Sequence, residues 1–476
     1  MTSATKVFSQ DAANADLRTW LPNAPALIAL LVFAIVLWPT AVLNDNDTWW
    51  HLSAGDWIWR HHAVPHTDPF SYTFAGKPWI AHEWLSELLM SRAFAAGGWP
   101  GIMLLTAVCA AAGVWIVARE AAQHLSGIAL WLCVLGGMAL FGPHLLARPH
   151  ILVLPVMAAW FAGLSRAQNA PPWACLPLIV LWANMHGSFI AGIALIAPFA
   201  LEAVLTPGKR AQTFALWSAF AVAAVAAALI TPFGIDGLLF PLKLITMPGV
   251  DGIGEWSPVN LTKPQPILVA ALGFTAVWWL RRPRLSWVRL ATLICLFAAS
   301  LHQQRHEMLL GLLGILLLAE PLGATMTQSP VKARRPFWPI LAAGFILVAV
   351  RLCLPMPAPL THNDPAGALA HVPADVLQQR VFNAYPLGGY LIRAGVPIYI
   401  DSRADMYGPD FLNHYAHLAS GDPRLLTATL NQWHAGWTLL TPGSAMADSM
   451  DHLPGWHRLY ADDTVVIHVR NDLPCR

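Results

Sequence analysis

The chain has 476 residues, 56% of them hydrophobic and only 11% charged, with a formal net charge of +2 and a mean hydropathy of +0.52. A soluble protein of this size carries about 25% charged residues, so an ordinary soluble enzyme is excluded. No nucleic-acid partner is expected. Apolar runs recur along the first three-quarters, at Ala26–Val42, Ile102–Val117, Ile151–Gly163 and Phe337–Val350. The fold class is an α-helical polytopic membrane protein.

Residues 1–24 read as a cytoplasmic N-terminal segment. Mostly polar residues precede the first apolar run and no small-residue cleavage site follows it, so Ala26–Val42 is a permanent helix rather than a cleaved signal. The loop after it, residues 44–84, concentrates titratable groups in a chain that otherwise avoids charge. It opens with Asn44-Asp45-Asn46-Asp47-Thr48-Trp49-Trp50-His51, continues through Gly55-Asp56-Trp57 and closes on His82-Glu83-Trp84. Such groups persist beside hydrocarbon only where they are solvated, paired or used. The Trp-rich stretch Trp49–Trp59 suits an amphipathic element on the membrane interface, with its tryptophans as anchors.

About eleven spans are predicted within residues 25–358, at about 25–43, 98–118, 126–142, 150–165, 171–184, 187–205, 212–230, 266–280, 287–301, 307–321 and 337–355. Lys6 and Arg18, Arg119, Arg166, Lys209-Arg210, Arg281–Arg289 and Lys332–Arg335 fall in every second connection. The positive-inside bias then puts the N-terminus in the cytoplasm and the C-terminus outside. Pro171–Leu205 reads as two short spans joined at Asn184-Met185-His186-Gly187, because one helix of that length is about 52 Å against a hydrocarbon core of ~30 Å. With this topology His124 alone of the 19 histidines lies in a cytoplasmic connection. The outer connections hold Pro143–His150, His302–Glu307 and the long loop from Pro232 to Pro258, which carries Glu255-Trp256.

Residues 359–476 are polar enough for a small extracytoplasmic α/β domain. Strands are expected at Val381-Phe382, Pro397–Ile400, Trp437–Leu440 and Thr464–Val469, with helices around Pro409–Leu418 and Pro423–Trp433. Asp401-Ser402-Arg403-Ala404-Asp405 is a polar cluster at a strand end, read as a local Arg–Asp pair. The six cysteines form no disulfide framework or zinc spacing. His82-Glu83-Trp84-Leu85-Ser86 lacks the second histidine of a zincin motif. No metal and no cofactor is expected.

The order of a first span, an outer loop opening on acids, an interfacial helix and a Pro-containing return resembles the GT-C superfamily of membrane glycosyltransferases, whose members include protein O-mannosyltransferases and aminoarabinose transferases. The resemblance covers the first ninety or so residues in pattern and the rest in architecture. The family's usual Asp-Glu pair is here Asp45-Asn46-Asp47-Thr48, and its Pro-Pro-Leu-type return is Ala81-His82-Glu83-Trp84-Leu85. It implies transfer of a sugar from a polyprenyl-phosphate carrier to a lipid, glycan or protein acceptor, with a first-loop acid as general base. Asp47 is the first choice and Asp45 the second. His51, one helical turn beyond Asp47, is placed to orient the acid or contact phosphate. His82 and Glu83 approach from the far end of the loop. The leaving phosphate calls for Arg148 with His150 and Arg305 with His306, since guanidinium binds phosphate bidentately and stays charged. Glu255 is a candidate acceptor contact, and His186 reads as structural.

The expected partners are a polyprenyl-phosphate-linked sugar, its acceptor and membrane lipids, and the expected location is the cytoplasmic (inner) membrane. A transporter or flippase of a lipid-linked saccharide is the rival class. Transporters place ionisable groups near the bilayer midplane, whereas Glu202, Arg289, Glu307, Glu320 and Arg351 lie toward span ends. A non-catalytic assembly protein is the third reading, and it would tolerate replacement of Asp47.

Overall fold

The computed structural model describes residues 23–38, 42–247, 256–326, 338–355 and 366–472. The first helix, α1 (Ala24–Val36), starts at Asn23, whose side chain accepts the Ala26 N–H at 3.0 Å, with Pro25 in the first turn. The acidic loop becomes α2 (Asp47–His61). The next helix, α3 (Trp84–Ala121), has two limbs, because Gly97 and Gly98 leave helical geometry and Pro100 lies just beyond them. The span expected at about 98–118 coincides with the second limb. The first limb lies beside α2.

The protein is mostly helical. Three described helices have both the length and the hydropathy to cross a membrane: Trp84–Ala121, Arg210–Ala228 and Gln304–Gly323. Seven other apolar helices have 10–17 residues, less than the ~20 of a straight crossing. The segment predicted at 150–165 is divided into the turn Pro149–Leu152 and the helix Leu154–Arg166, which buries Trp160 and Phe161 completely. Helices Trp173–Met185 and Phe189–Leu205 separate at His186, which is extended (φ −166°, ψ 140°). The Trp182 ring packs back against Gly192 across that break.

The two ends of the bundle differ in chemistry. At one end, several basic residues of the connections have acidic partners: Arg166 pairs with Glu120, and Arg289 bridges Glu202 at 3.0 Å and Glu320 at 2.8 Å. The other end carries the acidic loop and the C-terminal domain. That domain is built on a four-stranded sheet of order β1-β2-β4-β3, with β1 (Arg380–Asn383) parallel to β2 (Ala435–Leu440). Strands β3 (Trp456–Ala461) and β4 (Val466–Arg470) complete it antiparallel. Helices Ala404–Ala419 and Pro423–Gln432 lie where helical patches are expected.

The strand expected at Pro397–Ile400 is instead an extended segment outside the sheet. Asn383 holds it from one side, donating to Ile400 O at 2.7 Å and accepting from the Tyr399 N–H at 2.9 Å. From the other side, the Tyr72 N–H of the first loop donates to Ile398 O at 3.1 Å. Strand β3 escaped the sequence reading, since its side chains are largely half-exposed or exposed and give no apolar run.

By packing, the first loop belongs as much to this domain as to the membrane bundle. Trp50, Ala54, Trp79 and Ala81 share one apolar cluster with Val381, Tyr399, Ile400 and Trp437. On the other side of α2, Gly55 lies directly against the backbone of Glu87 and the side chain of Ser91, where a Cβ would collide. Gly389 allows an equally close approach from the C-terminal domain, since a Cβ there would stand 2.8 Å from Asn46 O. Trp49 and Trp50 are therefore packed between protein elements at 8% exposure each, and do not serve as interface anchors. Trp59 remains half-exposed, with the Arg92 guanidinium 4.4 Å from its ring centre.

Two ion clusters fasten the loop to the domain. Asp56 of α2 pairs with Arg393 of the C-terminal domain and, at 2.8 Å, with Arg92 of α3. Deeper, Arg403 has no exposure and bridges Asp401 at 2.6 Å and Asp68 at 2.8 Å. The faces of Trp79 and Phe70 lie 4.7 and 5.1 Å from its guanidinium carbon. The expected local Arg–Asp pair is thus present and extends to an acid from the first loop. Removing Asp68 leaves Arg403 paired with Asp401 but takes the acceptor from its buried Nη1, at a cost of about 1–3 kcal/mol. Asp68→Ala is expected to lower stability by roughly that amount and to expose the 44–84 loop to protease. Thermal unfolding and limited proteolysis in detergent check this, and an unchanged midpoint with unchanged cleavage would refute it.

Candidate functional site

The acids predicted from the loop are positioned by a short set of backbone bonds. Asp45 Oδ1 accepts the Asp47 N–H at 2.8 Å, and Asp47 begins α2, where a carboxylate is favoured by the helix dipole. Segment 147–148 is fastened alongside: the Ala147 N–H donates to Val42 O at 2.9 Å, and Thr48 Oγ1 donates to Ala147 O at 3.2 Å. Arg148 is thereby delivered to both acids. Its Nε lies 3.0 Å from Asp45 Oδ2 and its Nη2 contacts Asp47 Oδ2. A residue sought as a phosphate ligand stands on the two carboxylates, and all three side chains are less than one-fifth exposed.

Beside this triad lies a second group built on the first limb of α3. Glu83 Oε1 is 3.3 Å from His186 Nε2 and 3.6 Å from His82 Nε2, and Glu83 Oε2 is 4.0 Å from His51 Nε2. His51 Nδ1 also lies 3.4 Å from Glu87 Oε1. His51, expected beside Asp47, therefore lies against the carboxylates of Glu83 and Glu87. Glu87 is 1% exposed, and its Oε2 is buried without a hydrogen-bond partner. Burial pushes the His82 imidazole down to about 4, so the ring is neutral at pH 7. Burial, together with the neighbouring rings of His150 and His82 and the positive fields of Arg305 and Arg148, holds His186 well below the usual histidine range.

The remaining predicted residues fall around this centre. His150 Nε2 is 2.7 Å from His144 O, and its ring centre is 6.3 Å from that of His186. Arg305 stacks 3.5 Å from the Trp256 ring centre, and its field reaches His186. His306 follows Arg305 in a single 3₁₀ turn that leads into the helix Glu307–Gly323, and Glu307 pairs with His144 at 3.6 Å. Glu255 lies outside the described residues.

His186 and Glu87 were not singled out for the site. The signal for Glu87 was available: it stands four residues after Glu83, one turn along the same helix face. His186 had no local signal, because only the break between two helices turns it toward Glu83. His51, Glu83 and Glu87 also offer three ligand atoms within 4.8 Å of one another, an imidazole and two carboxylates of the kind that hold a divalent cation. That grouping arises from the folding of α2 against α3 and not from any sequence spacing.

No family model matches the sequence, and no curated protein matches it. Solved structures do. The chain is similar to ArnT from Cupriavidus metallidurans, solved bound to undecaprenyl phosphate, at 11% identity and a TM-score of 0.54, covering 93% of this chain and 97% of that one. It is also similar to the archaeal oligosaccharyltransferase AglB from Archaeoglobus fulgidus, solved with an inhibitory peptide and a dolichol-phosphate, at 12% identity and a TM-score of 0.56, covering 94% of this chain and 75% of that one. The likeness runs through the membrane bundle and the C-terminal domain, and it shows that this chain shares the fold of those two proteins.

The half-buried His82 imidazole gives the site a pH signature. An unfolded chain protonates His82 near 6.5 and the folded protein only near about 4, so the unfolded state binds more protons between those values. Stability is therefore full above pH 6.5 and falls as pH drops toward 4, by up to about 3 kcal/mol. This is an upper bound, because the Glu83 carboxylate 3.6 Å away favours the charged ring. Thermal unfolding at pH 7 and pH 4.5 should show the loss, and His82→Gln should flatten it. Identical slopes in wild type and variant would exclude His82 as the source.

Proposed function

We propose that this protein is a glycosyltransferase of the cytoplasmic (inner) membrane that moves a hexosyl or pentosyl group from a polyprenyl-phosphate carrier to an acceptor at the outer face. The observation that carries the reading is the triad Asp45–Arg148–Asp47 beside the Glu83 histidine cluster, under the C-terminal domain of a fold shared with ArnT and AglB. The lipid phosphates bound in those two structures support a polyprenyl-phosphate donor here.

In this reading Asp47 is the general base. The acceptor hydroxyl gives its proton to the Asp47 carboxylate as its oxygen bonds to the anomeric carbon. The bond from that carbon to the phosphate oxygen breaks, and its electron pair leaves with the lipid phosphate. A single base working from the face opposite the phosphate inverts the anomeric centre. Asp45, bonded to the Asp47 N–H, positions the base. Arg148, Arg305, His150 and His306 meet the leaving phosphate. Glu83, with His51 and His82, lines the sugar and acceptor side, and Glu255 is retained as an acceptor contact.

The test is turnover of a panel of polyprenyl-phosphate sugars by purified protein. Asp47→Asn is expected to lower kcat by about 10²–10⁴-fold, the usual worth of a general base. Wild type that consumes no donor, or an Asp47→Asn variant with undiminished turnover, would overturn the assignment. Loss confined to Asp45→Asn would move the base by two residues and leave the reaction intact.

A further inference from the structure

The geometry points to a second role for Arg148, resting on the reading above: it is a donor-responsive counter-ion that holds Asp47 inactive until a lipid phosphodiester draws the guanidinium away. Asp47 alone is a poor base in the arrangement observed. A carboxylate pressed against a guanidinium keeps its charge but loses proton affinity, typically by 1–3 pKa units. Arg148 is shared between Asp45 and Asp47, so the three side chains together carry one net negative charge. That arrangement is stable by itself, yet it is wrong for removing a proton from a hydroxyl.

Several features make the guanidinium transferable rather than fixed. Its backbone is pinned by the Ala147–Val42 and Thr48–Ala147 bonds, while the side chain remains 17% exposed. This contrasts with Arg403, which is held among two acids and two aromatic rings with no exposure. The groups facing the Asp47–Arg148 pair are also asymmetric in charge. Asp45 is its immediate neighbour, His51 lies one turn along α2, and Tyr385 approaches from the C-terminal domain within the field of Arg148. On the side of His186, the positive fields of Arg305 and Arg148 converge, with the rings of His150 and His82 alongside. An anion entering there meets Arg305 and the imidazoles and competes with the acids for Arg148.

The charges then balance through the cycle. The donor phosphodiester arrives with one negative charge and takes Arg148 from Asp47, whose proton affinity rises. Asp47 accepts the acceptor proton as the new O–C bond forms. The C–O bond to phosphate breaks, and the departing monoester gains a second charge that Arg148 now neutralises. When lipid phosphate leaves, Arg148 returns, and Asp47 gives its proton to water. The base is thus armed only while a donor is bound.

The test compares two pH profiles in the full-length protein. The acid limb of kcat/KM reports the free enzyme and that of kcat reports the donor complex. In wild type the kcat limb is expected about one pH unit or more above the kcat/KM limb. In Arg148→Gln both limbs should coincide near the higher value. If the negative charge of the donor alone raised Asp47, the separation would persist in Arg148→Gln, and that result overturns the proposal. Coincident limbs in wild type overturn it as well. Should Arg148→Gln turn over too slowly, millimolar guanidinium added to Arg148→Ala is expected to restore turnover together with the separated limbs. Absence of rescue would mark Arg148 as structural. Failure of the underlying base assignment looks different: Asp47→Asn would retain both turnover and the acid limb.

Discussion

A guanidinium shut away from water must be matched by acids within bonding distance, and Arg403 is matched by one from its own domain and one from the first loop. Asp68 cannot leave without taking the acceptor from the buried Arg403 Nη1, so the loop is held to the domain. The rest of the site hangs from this attachment. With residues 68–80 held against the domain, α2 is confined between the Gly388–Arg393 helix and the first limb of α3, and Gly389 and Gly55 set how closely each approaches. That confinement fixes the N-terminus of α2, and with it Asp47. The same confinement brings His51 of α2 against Glu83 and Glu87.

The two ends of the helical bundle use charge in different ways. At the end holding Glu120–Arg166 and Glu202–Arg289–Glu320, the bridges join carboxylates to guanidinium groups. At the other end imidazoles enter as well: Arg148 has two carboxylates, and Glu83 has three imidazoles within about 4 Å. That end therefore sets permanent charges beside rings of the kind that exchange protons near neutral pH.

Much of this was legible from composition and order along the chain. The membrane class followed from hydropathy, and the first loop stood out because acids and histidines are scarce elsewhere. What stayed hidden depends on contacts that no local pattern encodes. His186 looks like part of a helix turn until the break at residues 186–188 points it at Glu83. Pro397–Ile400 has the residues of a strand, but a single asparagine side chain and the first loop take up its backbone groups. The tryptophans of α2 fit an interface belt by sequence, yet Trp49 and Trp50 serve to pack it between two protein surfaces. In each case a tertiary partner far along the chain decided the outcome.

The bond between Asp68 and Arg403 spans 335 positions, and that distance has a meaning for synthesis. Chains fold from the N-terminus as they are made, so the acidic loop leaves the ribosome long before the residues that hold it in place. Until Arg403 and the Gly388–Gly389 turn have been translated, α2 has only α3 to lean on, and Asp47 has no fixed geometry. The last part of the chain to appear is the part that completes the first. A copy truncated before residue 388 therefore carries every acid and histidine of the site in its sequence but lacks the surface that confines α2 from the other side.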